Sequence, residues 1–177
     1  RDLRMSRGLG DVYKRQMRKV SNIYFDTHLM VTDPTNLIPL FALAGSNMLT
    51  IHLESKGDTT ANLKYIKKSG MNAGLAIKPA TDWKEVIPYL PLCDMVLVMT
   101  VEPGYGGQGF IPQCADKVAM LRKYCNENGF DKMNIQVDGG INTANAATVK
   151  DAGANVLVAG TYLFRAKDMR EAADAIR

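Results

Sequence analysis

The chain has 177 residues, of which 46% are hydrophobic, 23% charged and 7% aromatic, with a mean hydropathy of -0.13. That make-up suits one globular domain able to bury a core; it excludes a disordered or collagen-like chain, and no apolar run approaches the roughly 20 residues that span a bilayer. The formal charge of +4 is concentrated at one end, where residues 1–19 hold seven Lys or Arg and two Asp; the near-neutral remainder offers no broad footprint to nucleic acid. Three cysteines, Cys93, Cys114 and Cys125, are odd in number and lack the close pairing of a zinc or redox motif. With no apolar secretory run at the N-terminus, a reducing, cytosolic setting is expected.

Residues 1–16 differ from the rest. They are Arg-rich and show no helical or strand period, so they read as a non-native leader of the translated-adapter kind, with a native basic tail as the alternative. The domain proper is expected over residues 17–177.

From Ser21 onward, short apolar or β-branched runs alternate with amphipathic segments. The runs cover residues 23–31, 48–53, 73–77, 95–101, 133–137 and 155–159. Helical patterns lie between them, for instance over 63–68, 117–126 and 144–152, and Gly45, Gly70, Gly129 and Gly153 stand where helices end. The repeat is that of a βα unit, and a run such as Met95-Val-Leu-Val-Met99, apolar on both faces, belongs to a parallel sheet covered by helices. Six units are visible. A doubly wound open sheet is complete with six, whereas a (β/α)8 barrel lacks two and normally needs at least ~200 residues. Length alone favours the open sheet.

Chemistry-capable residues gather where strands end, the active face of any parallel α/β fold. Asp26-Thr-His-Leu-Met-Val31 carries His28, either a hydrogen-bonded core residue or a member of a site. Thr50-Ile-His-Leu-Glu54 puts His52 and Glu54 two residues apart on one face. These are the only two histidines, and finding both at the ends of successive strands points to a shared site. The loop Val98-Met-Thr-Val-Glu-Pro-Gly-Tyr-Gly-Gly-Gln-Gly-Phe110 is rich in glycine, whose backbone N–H groups can converge on an anion. Gly104, Gly106 and Gly109 formally fit G-x-G-x-x-G, but Pro103 and Pro112 flank them and no helix opens there, which argues against a dinucleotide fingerprint. Ile135-Gln-Val-Asp-Gly-Gly-Ile-Asn-Thr143 places Asp138, a turn residue or a chemistry-capable acid at a strand end, before two glycines and a helix capped by Asn142 or Thr143. Val156-Leu-Val-Ala-Gly-Thr161 ends the last strand with a small pair. Consecutive late strands ending in Gly-Gly and Gly-Thr match the phosphate position of β/α barrels.

Taken together, His28-Leu-Met-Val, Thr50-Ile-His-Leu-Glu, Gly74-Leu-Ala-Ile-Lys-Pro79, the Val98–Gln108 loop, Val137-Asp-Gly-Gly-Ile and Ala159-Gly-Thr161 resemble the strand-end signatures of the ribulose-phosphate 3-epimerase family, in order, over residues 17–177. The resemblance implies a (β/α)8 barrel, here incomplete with six units. It implies an isomerase of carbohydrate metabolism that interconverts D-ribulose 5-phosphate and D-xylulose 5-phosphate through an enediolate. One divalent metal is implied, zinc or iron first, with manganese or cobalt as further candidates. The substrate is a small sugar phosphate; neither nucleic acid nor membrane is implied, and self-association into a homo-oligomer is left open.

By motif position, His28 and Asp138 are implied metal ligands that also touch substrate, and Asp138 is one acid/base. Met30 and Met99 are implied beside the reacting carbons. Gly106, Gly107, Gln108, Gly109, Gly139, Gly140, Gly160 and Thr161 are the implied substrate and phosphate cradle, although the family often has Ser at the last position. His52 is not carried over as a ligand. The family's first two strands, with a Ser, a His and an Asp, have no counterpart in residues 1–22. Two metal ligands and one acid/base are therefore expected to be missing, activity of this chain alone to be low, and about 40 residues to precede it in the natural protein. Two alternatives are an epimerase for another ketose phosphate, such as allulose 6-phosphate, and a non-catalytic sugar-phosphate-binding module.

Overall fold

The computed structural model describes residues 9–104 and 107–177. Six parallel strands, β1 (Asp26–Leu29), β2 (Met48–His52), β3 (Asn72–Ile77), β4 (Met95–Met99), β5 (Asn134–Asp138) and β6 (Val156–Val158), form one sheet in the order β1-β2-β3-β4-β5-β6. A doubly wound sheet reverses direction from a central strand. Here each strand lies beside its predecessor, the order of a barrel, so the open sheet favoured by length is set aside.

The sheet is strongly curled. Gln136 Nε2 on β5 donates to Asp26 Oδ2 on β1 at 2.7 Å, although three strands lie between them. In a flat sheet, four steps of about 4.8 Å would hold the two strands ~19 Å apart, beyond the reach of both side chains. The result is a curled half-barrel, with β1 and β6 paired on one side only among the described residues.

Period-two alternation sorts the strands into two faces. Leu29, Leu49, Ile51, Leu75, Ile77, Val96, Val98, Ile135 and Val137 pack in the main core between sheet and helices. Ala76, Leu97 and Met99 form a second cluster with Val101 and Met30 on the concave face, which also carries His28, His52, Gln136 and Asp138. The helices on the outer side are α1 (Leu9–Arg18), α2 (Ile38–Leu43), α3 (Thr59–Lys68), α4 (Gln113–Glu127), α5 (Ala146–Asp151), α6 (Gly160–Arg165) and α7 (Met169–Ile176), with a 3-10 helix over Trp83–Leu92 before β4. Glycines 45, 70, 129 and 153 follow the helices α2 to α5 with positive φ, as their spacing predicts. All three cysteines are buried free thiols, and burial pushes the Cys93 thiol up to about 12.

Three expectations need correction. The supposedly irregular leader is helical from Leu9, and α1 is fastened by cations rather than by an apolar stripe. The Arg18 guanidinium lies 3.8 Å over the Phe25 ring and donates to Gly45 O at 2.8 Å and Asn47 Oδ1 at 2.7 Å, while Lys14 donates to Thr27 Oγ1. The first strand is shorter than the apolar run 23–31 because Ile23 and Tyr24 are exposed and lie outside the ladder with β2, which begins at Asp26. The helix after β5 starts at Ala146 rather than behind Asn142 or Thr143; Asn142 Oδ1 instead accepts from Ala144 N at 2.8 Å and shapes the preceding turn.

Candidate active site at the strand ends

Parallel pairing sets His28 opposite Thr50, so His52 is the diagonal neighbour one layer nearer the carboxyl end of the sheet. The two imidazoles meet with Nε2 atoms 2.9 Å apart and ring centroids separated by 4.9 Å. Each end of this pair faces an acid, and only the His52 end is hydrogen-bonded to it. His52 Nδ1 is 3.1 Å from Glu54 Oε2, and His28 Nδ1 is 3.8 Å from Asp138 Oδ2. The two histidines at successive strand ends are thus brought into contact, with a carboxylate beyond each.

Glu54 is fixed by the loop after β3. Its Oε1 accepts from Lys78 N at 2.9 Å and from Thr81 Oγ1 at 2.5 Å. Burial alone would raise its pKa, but hydrogen bonds from His52, Lys78 N and Thr81 outweigh that effect and hold it at about 2. The loop is tied down in turn by Lys117 of α4, whose ammonium donates to Lys78 O and Pro79 O at 2.9 Å each and to Thr81 O at 2.5 Å. Burial lowers the pKa of Lys117.

Asp138 closes β5. Its carbonyl accepts from Thr100 N at 2.9 Å, and Thr100 Oγ1 donates to Gly139 O at 2.5 Å. Gly139 and Gly140 then turn with φ of 129° and 67°. A Cβ on Gly140 would stand 2.6 Å from Phe110 N and 3.0 Å from Gln108 O, so the glycine-rich loop lies directly on this turn. Asn142 and Asn145 donate side-chain N–H groups to Gly140 O at 3.1 and 2.9 Å.

These elements surround a cavity of about 820 Å³ lined by Met30, Met99, Gly107, Gln108, Gly109, Asp138, Gly139, Gly140, Gly160 and Thr161. All are residues singled out from the sequence. Gly106 lies outside the described residues, and His28 adjoins the cavity through Asp138. Glu102, Asn142, Tyr162 and Arg165 also line it and were missed. Asn142 had a signal, an Asn directly after Gly-Gly-Ile; Arg165 had none, being one cation at the end of a short helix. A smaller cavity of about 280 Å³, lined by His52, Glu54, Lys78 and Met30 among others, adjoins on the β2 side.

His28 Nδ1 is buried and has no hydrogen-bond partner among the described residues, yet it faces a carboxylate. An imidazole nitrogen and a carboxylate oxygen turned toward one another are a donor pair suited to a divalent transition metal. Among the described residues, no group of three or more His, Cys, Asp or Glu is placed to hold an ion. No described helix is long and apolar enough to cross a membrane.

Parallel strands in sequential order define a β/α-barrel fold, with the titratable side chains, methionines and glycine turns of the candidate site at their carboxyl ends. The chain belongs to the ribulose-phosphate 3-epimerase family, whose model matches residues 8–164. It is 45% identical over 148 residues to the ribulose-phosphate 3-epimerase of Candida glabrata, an alignment covering 84% of this chain and 58% of that protein. It is 38% identical over 171 residues to the chloroplastic ribulose-5-phosphate-3-epimerase of Arabidopsis thaliana, covering 96% of this chain and 60% of that one. The chain thus spans somewhat less than two thirds of either relative. Among solved structures, a 3-hexulose-6-phosphate synthase shares the fold, with a TM-score of 0.69 at 17% identity, covering 97% of this chain and 81% of the other.

Proposed function

We propose that this chain carries the carboxyl-face site of a ribulose-phosphate 3-epimerase, which interconverts D-ribulose 5-phosphate and D-xylulose 5-phosphate by proton transfer at C3. The observation that carries the proposal is His28 Nδ1, buried without a partner and facing Asp138 beside the methionine- and glycine-lined cavity. His28 and Asp138 would hold one divalent ion, for which zinc or iron suits the nitrogen and oxygen donors; it would supply Lewis-acid stabilisation of the negative charge that develops next to C3.

The chain's own residues do the rest. Asp138 takes or returns a proton on one face of C3, at a carboxylate kept in place by the Thr100 hydrogen bonds to its strand end. Met30 and Met99 exclude water without offering a competing base. Gly107, Gly109, Gly139, Gly140, Gly160 and Thr161 present backbone N–H groups to the substrate and its phosphate, with Arg165 as a cation on the same wall. Inversion requires a second acid/base on the opposite face. The family resemblance puts that group on a strand without counterpart in residues 1–22, so the chain alone is expected to turn over far more slowly than a full-length protein.

The names of the relatives favour the five-carbon substrate over the six-carbon alternative and over a non-catalytic module. The test is a turnover comparison on full-length protein with D-ribulose 5-phosphate and D-allulose 6-phosphate. Faster conversion of the pentose phosphate is expected; preference for the hexose phosphate, or no turnover of either, overturns the proposal.

A further inference from the structure

The family resemblance leaves His52 outside the ligand set and gives Glu54 no role, yet the two lie on a line that runs from Asp138 past His28 to the loop after β3. The direction of each hydrogen bond along that line can be worked out from its far end. Lys78 N is a backbone donor and nothing else, so Glu54 Oε1 accepts from it at 2.9 Å. The other oxygen of the carboxylate, Oε2, can only accept, so the proton in the 3.1 Å contact sits on His52 Nδ1. A neutral imidazole with Nδ1–H has a lone pair on Nε2. In the 2.9 Å contact between the rings, His52 Nε2 therefore accepts and His28 Nε2–H donates. His28 is left with its lone pair on Nδ1, the buried atom that lacks a partner and faces Asp138 Oδ2 at 3.8 Å.

We infer that Glu54 and His52 are positioning residues: through two hydrogen bonds they fix the Nε2–H tautomer of His28 and keep its Nδ1 lone pair turned toward Asp138. For two neutral rings the tautomer follows from the hydrogen-bond geometry. Its consequence, that the pair is set to receive a cation without first shedding a proton, rests on the function proposed above. Outer partners that fix a ligating histidine in this way generally matter about 10–100-fold in metal affinity.

The change Glu54→Gln tests the relay because a carboxamide is no longer symmetrical. Its oxygen must stay on Lys78 N–H, which puts the NH2 group against His52 Nδ1. His52 then becomes an acceptor at Nδ1 and a donor at Nε2, and His28 is forced to the Nδ1–H form. With only two histidines in the chain, 15N-histidine labelling reports both rings at once, and His52→Gln assigns them. In metal-free protein at mildly alkaline pH, we expect neutral rings of opposite tautomer, His28 protonated at Nε2 and His52 at Nδ1. Glu54→Gln should swap both and weaken zinc binding, measured by chelator competition, about 10–100-fold, with the backbone amide fingerprint otherwise retained. A wild-type His28 protonated at Nδ1, or charged, overturns the inference without reference to any variant, so the test survives a variant that fails to fold. Unchanged tautomers in folded Glu54→Gln overturn it too. Swapped tautomers with unaltered zinc affinity overturn its consequence for the ion. Because no readout is turnover, an inactive protein with the stated tautomers would count against the proposed reaction and leave the relay standing.

Discussion

Glu54 should make this protein acid-sensitive in a way that one substitution removes. Its carboxyl titrates at about 2 in the fold against 4.5 for the free group, because the bonds from His52, Lys78 N and Thr81 outweigh the cost of burial. At about 1.36 kcal/mol for each tenfold change in proton affinity, the difference is roughly 3 kcal/mol. The side chain is 23% exposed, and solvent screening brings this to about 2 kcal/mol. The sign follows from proton binding: between the two values the unfolded chain takes up a proton that the folded one refuses, so stability falls with pH. The contribution is complete above about pH 4.5, more than half lost by about pH 3 and absent below about pH 2. Urea unfolding followed by the fluorescence of Trp83, the single tryptophan, gives the stability of wild type and Glu54→Gln across this range. We expect a gap of about 2 kcal/mol at pH 6 that closes steadily toward pH 3. A gap of constant size from pH 6 to pH 3 would refute the reasoning, since it would show that the carboxylate's charge is not what the hydrogen bonds stabilise.

Two further predictions concern the supports of the site. Gly140→Ala places a methyl 2.6 Å from Phe110 N at a φ of 67°, so left-handed strain and a backbone clash should together cost roughly 2–4 kcal/mol in urea titrations and raise KM for sugar phosphate; stability within 0.5 kcal/mol of wild type would contradict the turn described here. Lys117→Met keeps the aliphatic stem but removes the three hydrogen bonds to the loop over residues 78–81, for an expected loss of about 1–3 kcal/mol. Because that loop also holds Glu54, the double change with Glu54→Gln should cost less than the sum of the two, and strict additivity would separate the two supports.

The parts of this fold that were legible in the sequence are those set by apolar period. Runs such as Met95-Val-Leu-Val-Met99 became strands buried on both faces, with bounds correct to within a few residues. The 3-10 helix Trp83–Leu92 was illegible because Pro88 and Pro91 interrupt any 3.6-residue pattern; it is started by a capping box between Asp82 and Glu85 rather than by an amphipathic stripe. Helix α1 escaped for a related reason, since Arg18 and Lys14 attach it by charge and cation–π contact. At the site, the residue types at strand ends were readable because one layer of a parallel sheet brings them together whatever the loops do. Register was not readable. Nothing in the sequence says that His28 pairs with Thr50, and only that offset lets its ring reach His52 rather than slide past it.

The central claim, that Asp138 exchanges a proton at C3 of a ketose phosphate, is tested most directly by following deuterium into C3 of D-ribulose 5-phosphate in heavy water, with full-length wild-type protein and with Asp138→Asn. The amide keeps the shape of the side chain but cannot carry the proton. Deuterium should enter C3 with the wild type, and at least ~10²-fold more slowly with the variant. Equal rates for the two proteins, whether D-ribulose 5-phosphate or D-xylulose 5-phosphate is supplied, would contradict the account.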